Sequence, residues 1–143
     1  MSAPELGAEA LNTWDQLAGF WDSAIGKDGN KYWRRLQEPS LALFLGEKLA
    51  KPRCRALELA SGNGLGARWL AAHGASVVAT DGAEEMLEIA KTHAVEGQDI
   101  RFRRLDVTKV EDFEGLLESE VGPPLNEFNS GHIRGFCFFL FFW

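Results

Sequence analysis

The feature that most constrains this chain is a glycine-rich turn set between a short apolar strand and a helix. Arg55-Ala-Leu-Glu-Leu-Ala60 reads as the strand, Gly62 to Gly66 as the turn, and Ala67-Arg-Trp-Leu-Ala-Ala-His73 as the helix, closed by Gly74. The spacing Gly62-x-Gly64-x-x-Ala67 satisfies the relaxed dinucleotide fingerprint. Glycines there let backbone approach a ligand closely and admit positive φ, and the helix N-terminus near Leu65 offers N–H groups to an anion. By itself such a turn is shared by several nucleotide-type cofactors and does not choose among them.

Further strand and helix patterns follow the turn. Ser76-Val-Val-Ala-Thr80 is a near-continuous apolar run, as in a strand covered on both faces. Ala83 to His93 reads as a helix with Met86, Leu87 and Ala90 inward, Ile100 to Leu105 as a strand, and Val110 to Leu117 as a helix. Repeated βα units imply an α/β fold: a Rossmann-like α-β-α sandwich on a parallel sheet, incomplete at about three to four strands. Before it, residues 1–50 read as helical. Leu11, Trp14, Leu17, Ala18 and Trp21 share one helix face, Gly26-Lys-Asp-Gly-Asn30 breaks the pattern, and a second helix is expected from about Pro39-Ser40 to Pro52. The chain thus divides into a helical segment 1–50, a core 51–121 and a tail 122–143.

Acidic residues narrow the ligand. Glu58 lies in the first strand, four residues before Gly62, where its carboxylate is expected to face the turn. It suits a ligand with an ammonium and a sulfonium group and suits a pyrophosphate badly. Asp81 ends the second strand, where a carboxylate can accept both hydroxyls of a ribose. It can equally cap the helix that begins near Ala83, and one residue can do both.

These segments together resemble the class I S-adenosylmethionine (SAM) dependent methyltransferases. Leu57-Glu-Leu-Ala-Ser-Gly-Asn-Gly-Leu-Gly66 is similar to their first motif, with Ala60 where the family's first glycine stands. Ala79-Thr-Asp-Gly-Ala-Glu-Glu-Met-Leu-Glu-Ile-Ala90 resembles the second, and Arg104-Leu-Asp-Val-Thr108 the third. The resemblance implies SAM as cofactor and a small-molecule methyl acceptor. It implies cofactor contacts from Glu58, Ala60, Ser61, Gly62, Asn63 and Gly64 at the turn. Asp81 and Gly82 would lie at the ribose, Met86 near the adenine, Asp106 at the adenine amino group and Val107 beside the ring. No catalytic base is nominated. Two other readings remain: a non-catalytic SAM-binding fragment, and an NAD(P)-linked oxidoreductase, which would leave Glu58 and Asp106 unexplained.

Trp14-Asp-Gln-Leu-Ala-Gly-Phe-Trp-Asp22 resembles the leading helices of methyltransferases that act on small molecules, where they form a partial lid. Trp14, Trp21 and Trp33 are read first as amphipathic packing, with cofactor contact the alternative. His73 and His93 are read as solvated helix caps. Arg101 and Arg103 share a strand face and are expected on a solvated edge. The net charge of −6 argues against a general nucleic-acid binder. Cys54 and Cys137 lack CxxC or His neighbours, so a zinc site is not expected and reduced thiols are. No basic, apolar leader opens the chain, and the run Phe136 to Trp143 is far below the ~20 residues of a spanning helix, so a cytoplasmic protein is expected. Five of the ten phenylalanines fall in the last eight residues. Ile133 to Trp143 could supply a fourth strand by hydrophobicity, but no carboxylate opens it. The tail is therefore expected not to descend from the family's sequence, and an open sheet edge makes self-association an expectation.

Overall fold

The computed structural model describes residues 3–121 and 136–140. Helix α1 (Ala3–Ile25) leads through a turn into a π-helical stretch, Trp33–Gln37, continuous with α2 (Glu38–Leu49). There follow β1 (Arg55–Leu59), α3 (Leu65–Ala72), β2 (Ser76–Asp81), α4 (Glu84–Thr92), β3 (Ile100–Arg104), α5 (Val110–Val121) and β4 (Phe136–Leu140). The strands form one parallel sheet in the order β3-β2-β1-β4. The Rossmann-like reading holds, and the fourth strand comes from the aromatic tail, with Leu57 opposite Val78 on one side and Phe138 on the other. The rest of the tail, 122–135 and 141–143, lies outside the described residues, as does the side chain of Cys137.

Strand alternation sends β1 and β2 into two cores, which is why both read as unbroken apolar runs. Ala56, Val77 and Ala79 pack with Ala67 and Leu70 of α3 and with Trp33, Leu45 and Leu49. Leu57, Leu59 and Val78 pack on the other face with Leu105 and with Leu116 of α5. Arg101 and Arg103 are not merely solvated, as the alternation suggested. Both reach Glu120 of α5, whose side chain is buried, with Arg103 Nε 3.5 Å from Oε1, and Arg55 Nη2 donates to its backbone carbonyl at 2.7 Å. A carboxylate buried at that depth would be costly without cationic partners.

The second helix begins well before Pro39. Asn30 Oδ1 accepts the N–H groups of Tyr32 and Trp33 at 3.0 and 3.1 Å, the action of an N-cap, so helix starts at once after the Gly26–Asn30 turn. Pro39 therefore lies inside a helical run, where it lacks an N–H and crowds the carbonyl four residues back. The wider π turn at Trp33–Gln37, immediately before it, relieves that crowding. Leu45 and Leu49 point inward, while Phe44 is exposed.

Gly29 has φ +80°, and a Cβ there would stand 2.3 Å from Cδ1 of the buried Trp33. Left-handed strain and overpacking together set the cost of Gly29→Ala at roughly 2–4 kcal/mol. Urea unfolding should show a midpoint lowered to match; an unchanged midpoint would mean Trp33 does not seat against this turn.

Candidate functional site

In a parallel α/β sheet, ligands bind beyond the carboxyl ends of the strands. There a cavity of about 270 Å³ opens between the sheet edge and α1. Its floor and walls come from Ala60 and Gly62, from Asp81, Gly82 and Met86, and from Leu105 to Thr108 after β3. Its roof is α1, which contributes Leu11, Trp14, Trp21 and Ile25.

The turn is held by backbone conformations few side chains tolerate. Gly62 and Gly64 have φ of +53° and +76°, and so does Ala60 at +53°. Ala60 stands where the resembled motif has glycine, and its Cβ carries strain on the order of 1–2 kcal/mol. Ser61 N–H donates to the Thr80 carbonyl at 2.9 Å, extending the β1–β2 pairing into the turn. Gly62 N–H donates to Asp81 Oδ2 at 2.8 Å. A Cβ on Gly64 would come within 3.0 Å of the Ala90 Cβ, so α4 presses directly on the turn.

Asp81 takes the capping role expected of it and adds a tie to the turn. While Oδ2 takes Gly62, Oδ1 accepts Ala83 N–H at 2.9 Å and so opens α4. Burial pushes its carboxyl above the ordinary range, against the downward pull of the N–H groups of Ala83, Gly62 and Gly82. The residue lines the cavity. Asp106, also on the wall, is buried. Its Oδ1 accepts the hydroxyl and N–H of Thr108 at 2.6 and 3.0 Å, and the hydroxyl bond is the main reason its pKa falls. Val107 is exposed and Met86 buried, and both line the cavity.

Glu58, Ser61, Asn63 and Gly64 do not line it. Glu58 is fully buried on the α3 side of β1, where Ala67 N–H bonds its carboxyl and Arg68 attracts it. Among the described residues its Oε2 has no hydrogen-bond partner, and neither has the buried Ser61 Oγ. Burial, reinforced by the charge of Asp81, pushes Glu58 up to about 8. Asn63 turns toward α1, where its Nδ2 donates to Asp22 Oδ1 at 2.9 Å.

Helix α1 is fitted closely to the rim. A Cβ on Gly7 would lie 2.9 Å from Thr108 Oγ1, and one on Gly82 would lie 2.5 Å from Leu11 Cδ2. Asp15 Oδ1 accepts the N–H of Glu85 at 3.0 Å, so α1 caps α4 from outside. Of the three tryptophans, Trp33 is packed in the core, whereas Trp14 and Trp21, with ring centroids 5.9 Å apart, face the cavity. His93 is no solvated cap: it is largely buried, and its Nε2 bonds Asp22 Oδ1 at 2.9 Å. His73 stays at the surface, stacked on Trp69. Asp15, Asp22 and Arg68 were not singled out from the sequence. Arg68 between Ala67 and Trp69 on an otherwise apolar helix was the one visible signal.

Glu58 gives a pH test of this arrangement. Its folded pKa, about 8, lies above the ordinary 4.5, so its contribution is full below about pH 4.5 and is lost as pH rises toward 8. Urea unfolding across that window should show Glu58→Gln losing less stability than the parent. Parallel curves would mean the carboxyl is not buried as described.

Residues 56–117 match the family model described as a methyltransferase domain. No curated protein matches the chain by sequence. Among solved structures, the DhpI–SAH complex is 25% identical, with a TM-score of 0.52 over 73% of this chain and 47% of its own. The DhpI–SAM–HEP complex is 28% identical, with a TM-score of 0.50 over 74% of this chain and 45% of its own. A SAM-dependent methyltransferase from Mesorhizobium loti is 30% identical, with a TM-score of 0.42 over 59% of this chain and 36% of its own. The chain spans less than half the length of each of these structures. Residues 56–117 are thus similar to a methyltransferase domain, and the fold around them is Rossmann-like.

Proposed function

We propose that the cavity beneath α1 binds SAM and that the chain serves methyl transfer to a small-molecule acceptor. The observation that supports this best is the meeting of two strand-end carboxylates, Asp81 and Asp106, with the glycine turn on one cavity. The two DhpI structures are complexes with SAH and with SAM.

The residues present fit the cofactor. Asp81, with its oxygens fixed by Gly62 and Ala83, keeps acceptor capacity toward the cavity for a ribose hydroxyl. Asp106, held ionised and oriented by Thr108, can accept an amino N–H at the far end of the cavity. Met86, Leu105 and Val107 add apolar lining to the same cavity, as do Trp14 and Trp21 of α1. A cation in this cavity would favour the ionised form of Glu58 from behind the turn, opposing the burial that now protonates it. When bound, SAM supplies an activated methyl group on sulfur. The protein's part is to orient it and to exclude water from the apolar side. No described residue is assigned as a base.

Calorimetric titration with SAH, SAM and NADH tests the reading. Binding of the first two and not the third is expected; binding of NADH alone would overturn it in favour of an oxidoreductase. Asp81→Ala should weaken SAH at least tenfold, since a charged bidentate contact is worth ~1.5–3 kcal/mol. Unchanged affinity would place the ribose elsewhere.

A further inference from the structure

A polar cluster outside the cavity joins its roof to its floor. Asp22, on the last turn of α1, receives two hydrogen bonds on a single oxygen: Asn63 Nδ2 at 2.9 Å and His93 Nε2 at 2.9 Å. Asn63 belongs to the glycine turn, and its Oδ1 accepts Leu65 N–H at 3.3 Å at the start of α3. His93 closes the C-terminus of α4. Arg68 of α3 adds a second tie, donating to the carbonyls of Asn63 at 2.8 Å and Lys27 at 2.6 Å.

None of these side chains lines the cavity, yet Asp22 and Asn63 are each the chain neighbour of a residue that does. Asp22 follows Trp21, and Asn63 follows Gly62. We propose that Asp22 and His93 are positioning residues, which lock α1 onto the glycine turn so that the cavity has its binding shape only when the clasp is made. The proposal rests on the cofactor reading above. Burial alone would raise the pKa of Asp22, but the bonds from Asn63 and His93 and the charge of Arg68 hold it below the ordinary range. The carboxylate is thus ionised wherever α1 is docked at neutral pH. A ligand that needs the docked form binds in proportion to the docked fraction, so loosening the clasp weakens binding without touching a contact atom.

The test uses the full chain. SAH affinity is measured by calorimetry, and amide exchange over residues 14–25 is followed without ligand, for Asp22→Ala, Asp22→Asn, His93→Ala and His93→Gln. Leu116→Ala, in the core on the far face of the sheet, is the stability control. Asp22→Ala and His93→Ala should speed exchange in α1 and raise the SAH Kd about tenfold. His93→Gln, which keeps an N–H donor, should restore both, and Asp22→Asn should fall between. SAH binding by Asp22→Ala and His93→Ala equal to the parent's, or weakening matched by Leu116→Ala, would overturn the proposal. If the parent itself binds no SAH, the cofactor reading fails; the exchange data still decide the clasp, which unchanged exchange in Asp22→Ala would remove.

Discussion

The carboxylate of Asp81 ties together the two elements on which the site depends. One oxygen holds the N–H of Gly62 and the other the N–H of Ala83, so a single side chain shapes the glycine turn and opens α4. It can do so because β1 and β2 are parallel neighbours in register, with Leu59 opposite Thr80, which brings the two strand ends to the same level. The turn's positive φ values and the close seat of Ala90 on Gly64 leave little slack around that contact. Burial raises the Asp81 carboxyl, and the backbone N–H groups around it draw it back down.

The roof follows from the same economy of contacts. Helix α1 reaches the rim at Gly7 and Gly82, where the absence of a side chain lets Thr108 and Leu11 come close. Its acidic residues meet donors that would otherwise be unmatched: Asp15 takes a first-turn N–H of α4, and Asp22 takes Asn63 and His93. An amphipathic helix that merely covered the sheet would need neither. The apolar face of α1 supplies burial, and its carboxylates set where along the rim it docks.

Much of this was legible in the residues. The strand–turn–helix around Gly62 and Gly64, the parallel order of β1 to β3 and the acidic strand ends all follow from local pattern, because each is written in consecutive positions. The second helix starts well before Pro39: Asn30 carries the capping signal, and the π turn before the proline has no sequence mark of its own. Arg101 and Arg103 were read by alternation alone, which cannot see Glu120 arriving from α5. Glu58 was placed in the right strand, but burial under α3 rather than exposure to the cavity is a matter of which helix covers that face.

By itself, then, the sequence determined the α/β class, the glycine turn and the carboxylates at the strand ends. Periodicity, glycine spacing and charge at strand ends are local properties, and the backbone converts them directly into geometry. Only the tertiary structure decided that the aromatic segment Phe136–Leu140 pairs beside β1. It alone decided that Trp14 and Trp21 face the cavity while Trp33 does not, and that Asp22 clasps Asn63 and His93. Those contacts join residues far apart in the chain, 81 positions for Arg55 and Phe136 and 71 for Asp22 and His93, and no local rule encodes which distant partner will satisfy a buried polar group.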